Sequence, residues 1–279
     1  MSLFKKILVP TDFSPNSEAG LNYALEMAAE FNAEILLFNV MRIPYGFASQ
    51  VEDYKTNMQE YAHTWMEEKI SQIRKTNKYS KLKIDYAMSF GHVVSEMIRK
   101  SNEFGADLII LTSKGGAEGH KYLGSVVSDL MQFSEVPVIS VPYDISEIEW
   151  NDLVLATDYN SGDIDAVKFL SDLATHFKST MHIVHVDEEQ ELQNEIMFLG
   201  FEQKVKDTLG NFELSFEDIY GDDFIEGIGQ YLENEPCSLL TLTRNKKSSF
   251  RRLLDNSIAS KVPMQAHVPV LIWVNKEDH

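Results

Sequence analysis

The chain repeats itself. ILVPTDFS at 7–14 returns as LVLATDYN at 153–160, which sets Asp158 on Asp12 at an offset of 158 − 12 = 146. ILLFNV and MHIVHV recur at the same offset, 186 − 40 = 146. Further on, IYGDDFIEGI answers MSFGHVVSEMI, SLLTLTR answers LIILTSK, and VPVLIWV answers VPVISVP. The last pair is offset by 269 − 137 = 132, so the second copy has a shorter middle connection. Matching segments in unchanged order over the whole length mean two related domains in tandem. The polar stretch Tyr143 to Asn151 separates them, and domains are expected at 1–146 and 147–279.

Each copy reads as alternating strands and helices. FKKILVPTD is a basic entry into an apolar strand, and Ser14-Pro15 follows as an N-cap with proline at the first helical position. Leu21, Ala24, Leu25, Ala28 and Ala29 recur at helical spacing until Asn32, and EILLFNV is the next strand. Two strands joined by one helix are parallel with a right-handed crossover. ILVP, EILLF and LIIL are apolar on consecutive residues, as strands covered on both faces must be. The long helix VEDYKTNMQEYAHTWMEEKISQIRK carries Tyr54, Met58, Tyr61, Trp65 and Ile73 on or near one face, a stripe that reads as core packing. LKIDYAMSFG is a third strand, and the helix after it opens at Gly91-His92, with His92 a capping or surface residue. The first half is therefore expected to run β-α-β-α-β-α-β-α-β. The fold class that follows is α/β, with two tandem doubly wound domains built on parallel sheets.

Leu108 to Val141 is the stretch most suggestive of chemistry. A buried strand feeds a loop with Gly115, Gly116 and Gly119, then a helix opening at Gly124-Ser125, then a last apolar strand. Unpaired N–H groups and the macrodipole at a helix start favour an anion, and glycine lets a loop bring its amides close to a phosphate. Such loops also serve only to turn the chain, and the stretch alone leaves both readings open. Asp12 lies at the carboxyl end of the first strand, where open α/β sheets bind ligands. A cap for the next helix is the equal alternative for it.

Charge and composition exclude several classes. With 25 Lys+Arg against 43 Asp+Glu, the net charge of −18 argues against nucleic acid and against anionic membrane surfaces as partners. Cys237 is the single cysteine, which rules out an internal disulfide and fits a reducing compartment. No signal-peptide h-region and no bilayer-length apolar run is present, and a cytoplasmic location is expected.

A strand ending V-P-T-D, a second ending in an apolar residue and N-V, a G-H before the third helix, and a glycine loop leading to L-G-S-V before a V-P-V strand resemble the universal stress protein family. The resemblance covers essentially the full chain as a tandem two-domain, UspA-like member. It implies a five-stranded parallel sheet in each domain, of the adenine nucleotide α-hydrolase-like class, and in many members ATP held by a G-x2-G-x9-G-S/T loop. On that resemblance Asp12 would serve the adenine or ribose side, Val40 would contact the base, and Pro10, Thr11 and Leu111 would frame the pocket. Gly115, Gly124, Ser125 and Val126 would offer amides or a hydroxyl to the phosphates, with Mg2+ as the accompanying ion.

The first copy departs from the pattern at two points. Thr112 stands where the family's first glycine would be, so its side chain would crowd the ribose or triphosphate. Gly115 to Gly124 encloses 124 − 115 − 1 = 8 residues, one fewer than the family loop. Lys114 and Lys121 would neutralise phosphate charge and His120 would donate, with solvated loop charges as the equal alternative. The second copy departs further. Its loop, TRNKKSSFRRLLDNSIASKV, has no glycine, and Asp255-Asn256 precedes Ser257. A carboxylate at the helix start would repel a phosphate. Arg244, Lys246, Lys247, Arg251 and Arg252 form a basic run without an amide cradle, suited to a structural or partner-facing role. ATP is expected in the first domain only.

The sequence shows no Ser-His-Asp arrangement, HExxH, CxxC or Walker loop, and no catalytic or metal-ligating residue is assigned. Slow ATP hydrolysis would need only nucleotide, metal and a positioned water. Two readings stand: a stress-response regulator whose first domain binds an adenine nucleotide, and a ligand-free scaffold for dimerisation and partner binding. An ATP-dependent enzyme is a weaker third. VPVISVP and VPVLIWV, both apolar, are expected at sheet edges where they invite pairing. The resemblance implies that such last strands pair about a two-fold axis, so an intrachain pseudo-dimer through residues 136–142 and 268–274 is expected, with a homodimer left open.

Overall fold

The computed structural model describes residues 3–42, 51–113, 125–145, 148–160, 162–188, 192–244 and 268–274, with only the backbone of Val51. The chain divides into two compact units, with the change between them at Tyr143–Asp144. In the first unit the order is β1 (Lys6–Pro10), α1 (Glu18–Phe31), β2 (Glu34–Met41), α2 (Val51–Lys75), β3 (Ile84–Phe90), α3 (Val93–Phe104), β4 (Leu108–Ser113), α4 (Ser125–Phe133) and β5 (Val138–Pro142). Its strands lie in the order β3-β2-β1-β4-β5. The β1–β2, β1–β4 and β2–β3 pairs are parallel.

The second unit repeats the plan with β6 (Asp152–Ala156), α5 (Asp163–Phe177), β7 (Thr180–Asp187), α6 (Leu192–Leu209), β8 (Ser215–Tyr220), α7 (Phe224–Asn234), β9 (Leu239–Arg244) and β10 (Val270–Val274). Its strand order is β10-β9-β6-β7-β8, again with parallel pairs. The registers place the repeat on itself. Ile7 pairs with Leu108, and Leu153, the counterpart of Ile7, pairs with Leu239. Residues of β9 therefore answer those of β4 at 239 − 108 = 131.

Central strands are buried on both faces. Ile7, Leu8, Ile109, Ile110, Leu153, Val154 and Leu155 have no exposed surface. Full burial of each such side chain contributes about 1.5–3 kcal/mol. Edge strands are wetter: β3 and β8 bury at most one residue each. α1 ends at Asn32 in the left-handed region (φ 53), and α5 ends the same way at Lys178 (φ 61), the residue 146 further on.

Two local expectations are corrected. Ser14 does cap a helical turn, but a 3-10 turn over Pro15–Ser17 rather than α1 itself, and its side chain makes no cap bond. On α2 the core face is Ala62, Met66, Ile70 and Ile73, at i, i+4, i+8 and i+11. Of the expected stripe only Ile73 is buried, and Tyr61 is 58 % exposed. The aromatics lie one residue off the buried face, where Tyr61 and Trp65 pack against Phe13 with ring centroids 5.9 and 4.6 Å away.

Candidate functional site

In the first unit the sheet changes direction at β1, with β2 and β3 on one side and β4 and β5 on the other. The crevice beyond the carboxyl ends of β1 and β4 is therefore the topological switch point. Pro10 closes β1 and is buried, and Thr11 is buried immediately after it. The Thr11 N–H donates to Phe38 O at 2.9 Å. Its Oγ1 lies 3.1 Å from Ser17 Oγ and accepts the Phe13 N–H at 3.1 Å. That two-residue side-chain turn offsets the cost of holding Phe13 at φ 64, an unusual conformation for an aromatic residue. Asp12 is exposed, and its Oδ1 accepts from Ser14 N at 3.1 Å and Ser14 Oγ at 2.5 Å.

Val40, half-buried, sits near the end of β2 beside Asn39. Asn39 is only 5 % exposed and its Nδ2 donates to Thr11 O at 2.7 Å, while its Oδ1 is buried with no partner. Leu111 is buried near the end of β4. Thr112 is half-buried, and its Oγ1 accepts the Gly20 N–H at 2.8 Å. The hydroxyl is thus committed to the first turn of α1. Gly20 is needed there, because a Cβ would stand 2.9 Å from the backbone of both Leu111 and Thr112. Ser125 is exposed at the first position of α4, with Val126 half-buried behind it. Lys114, Gly115, Gly124 and the loop residues Gly116, Gly119, His120 and Lys121 lie outside the described residues. Beside the Phe13 turn is a groove of about 250 Å³ whose lining includes Trp65, Glu18, Glu68 and Lys69. Lys69 is paired with Glu18 at 2.5 Å, so the two carboxylates make this groove a poor place for phosphates.

The second unit handles the same position differently. Asp163 takes the place of Ser17, since 163 − 146 = 17, and has no exposed surface. Its carboxylate accepts from Thr157 Oγ1 at 2.6 Å, from the Asn160 N–H at 3.1 Å and from the Thr243 hydroxyl. Thr157 and Thr243 are the counterparts of Thr11 and Thr112, so one buried carboxylate joins the ends of β6 and β9. Burial pushes the Asp163 carboxyl above its ordinary value, while its three donors oppose that shift. Tyr159, the counterpart of Phe13, holds φ 60 and lies on His185 with ring centroids 4.1 Å apart. His185 answers Asn39, and its Nδ1 donates to Thr157 O at 2.8 Å. Phe201 packs on the same tyrosine at 5.5 Å. The Tyr159 phenol is pushed up by burial and then by the charges of Asp218, Asp187 and Asp158. Asp158 is half-buried rather than exposed. Of the basic run only Arg244 is among the described residues, and Asp255, Asn256 and Ser257 are not.

The strand-end residues Pro10, Thr11, Asp12, Val40, Leu111 and Thr112 and the α4 start at Ser125 and Val126 are those the sequence singled out. It missed Asn39, Gly20, Asp163 and His185. The repeat offset carried a usable signal for Asp163 and His185, because each breaks the match between copies, Asp163 at a helix start and His185 near a strand end.

Residues 3–142 match the sequence profile of the universal stress protein family. The chain belongs to that family. Universal stress protein MJ0531 of Methanocaldococcus jannaschii is 28 % identical over 142 residues, 50 % of this chain and 83 % of that protein. Universal stress protein MJ0577 of the same organism is 24 % identical over 154 residues, 50 % of this chain and 95 % of that protein. The crystal structure of a universal stress protein from Archaeoglobus fulgidus is similar over 100 % of this chain and 98 % of its own, with a TM-score of 0.76 at 20 % identity. At that identity the likeness is one of fold, and it extends through both units. Among the described residues no helix is long and apolar enough to cross a membrane.

Proposed function

We propose that the first unit binds an adenine nucleotide, ATP in preference, and that occupancy alters a surface read by a protein partner in a stress response. The observation that carries this is the convergence of Thr11, Asp12, Val40, Leu111 and Thr112 at the switch point of a family-typical sheet. The acceptor set suits the ligand. The exposed Asp12 carboxylate and the buried, unpartnered Asn39 Oδ1 are acceptors of the kind that ribose hydroxyls and an adenine amino group require. Phosphates would fall to the start of α4 at Ser125 and Val126 and, on the family resemblance, to Lys114, Gly115 and Gly124, with Mg2+ supplying positive charge to offset theirs. The commitment of Thr112 to Gly20 supports room for the ligand, since that hydroxyl is held by α1.

Binding in the first unit alone is supported by the second unit's own side chains. Asp163 joins the β6 and β9 ends and Tyr159 covers His185, so the equivalent crevice is filled with a buried carboxyl group and an aromatic ring. A ligand-free scaffold is the competing reading, favoured by a second unit that carries the fold without the glycine loop. Titration calorimetry with Mg-ATP, together with mass analysis of small molecules released on denaturation, separates the two. Saturable binding of one equivalent per chain supports the nucleotide reading. No heat at about 1 mM nucleotide replaces it with the scaffold.

A further inference from the structure

Eight large apolar side chains stand exposed among the described residues, and four of them fall within eight positions of α6. Leu192 is 71 % exposed, Ile196 61 %, Leu199 54 % and Met197 41 %. The inward face of α6 is already satisfied, with Phe201 and Val205 buried. Leu192, Ile196, Leu199 and the exposed Gln203 follow at i, i+4, i+7 and i+11, so they form one stripe on the opposite face. α2 holds the same place in the first unit, and Tyr61 is its one large apolar side chain exposed to this degree among the described residues. The fold therefore does not require such a stripe at this position. Gly200 lies in the middle of the same helix, exposed, with nothing within 4 Å of the place its Cβ would occupy. A mid-helix glycine weakens a helix relative to alanine, and what it allows in return is close approach of another backbone.

We propose that α6 is a homodimer surface, on which the same helix of a second copy packs antiparallel with the two helices crossing between Leu199 and Gly200. The helix is complementary to itself in that arrangement. Leu199 of each copy falls on Gly200 of the other, because 199 + 200 = 399 places the pair symmetrically about the crossing. Glu195 of each copy then comes within about 3 Å, measured along the helix axis, of the level of Lys206 of the other, a gap that two long side chains span. Lys206 is 56 % exposed, so it reaches across while bonded within its own chain to Glu202 at 2.5 Å. On a chain of net charge −18, most surfaces repel a second copy. The stripe of Leu192, Ile196, Leu199, Gly200 and Gln203 carries no charge, and burying it removes apolar surface from water. Helix dipoles in an antiparallel pair also oppose each other favourably.

Sedimentation equilibrium of the full chain from about 1 µM to about 1 mM, with and without added salt, tests this. Wild type should approach twice the 31.8 kDa chain mass, and more readily at high salt as net repulsion is screened. Ile196→Glu should weaken the dimer by at least about tenfold with an unchanged circular dichroism spectrum. Lys206→Glu should weaken it, and Glu195→Lys with Lys206→Glu should recover it, a rescue that a structural defect or another interface would not give. A monomer throughout the range overturns the proposal. So does a dimer indifferent to Ile196→Glu, or a charge exchange that fails to recover association.

Discussion

Asp12 and Asp158 occupy equivalent positions with unequal surroundings, and that difference is measurable. Asp12→Ala removes an exposed acceptor from the crevice and should lower Mg-ATP affinity by about 1–3 kcal/mol, roughly five- to 150-fold, by calorimetry. Asp158→Ala should leave the isotherm unchanged. Equal losses for both would show that the second unit also binds. Asp163 offers a test of how that second crevice is held. Its folded pKa lies above the ordinary 3.8, so the folded state holds the proton more tightly than the unfolded one. Its contribution to stability is then greatest below the unfolded value and declines as pH rises through the folded one. Asp163→Asn removes that titration, so its deficit against wild type in urea unfolding should shrink from about pH 4 to about pH 7. A deficit that grows with pH would mean the charged carboxylate is the favoured form. Asp163→Ala strands Thr157, Thr243 and the Asn160 N–H and should cost about 2–4 kcal/mol.

Among the elements, α1 and α5 show how one plan tolerates different residues at a cap. Asn32 enters the left-handed region readily because its short polar side chain is tolerated there, whereas Lys178 adopts φ 61 against its preference. Lys178 is exposed and its backbone N–H is the group that closes the helix, donating to Ala174 O. Lys178→Gly should therefore stabilise the protein by about 0.5–1 kcal/mol, read as a higher urea midpoint at constant m. A loss of stability would mean the lysine side chain contributes more than its backbone costs. The same logic of position over identity explains the strand-end turns. Phe13 and Tyr159 hold positive φ in both units because Thr11 and Thr157 accept their N–H groups, at 3.1 and 3.0 Å.

For the whole molecule, nucleotide should act on one repeat and spare the other. Hydrogen exchange with saturating Mg-ATP should slow at residues 10–13, 39–41, 111–113 and 125–127, with residues 156–159 and 185–187 unchanged. At about one hundred times Kd the ligand adds about 2.7 kcal/mol to the stability of the unit that holds it, enough to raise its unfolding temperature visibly. Protection spread equally over both units would contradict a division of labour between them.

The tandem repeat, the strand-helix alternation, the parallel sheet and the family were all legible in the amino-acid sequence. Each rests on periodicity or short motif, and those are local properties of the chain. Ile7–Pro10 and Leu108–Leu111 each announce two-faced burial through four consecutive apolar residues, whatever their partners. What a polar side chain bonds to was decided only in the folded chain. Gly20 and Thr112 are 92 residues apart, and Asp163 and Thr243 are 80 apart. They meet because β4 and β9 insert beside β1 and β6, and no local pattern records that adjacency. The face of α2 that is buried was settled the same way. Tyr61 and Trp65 have the greater apolar surface, yet Ala62, Met66 and Ile70 face the sheet, because a turn at positive φ places Phe13 where the aromatics can cover it.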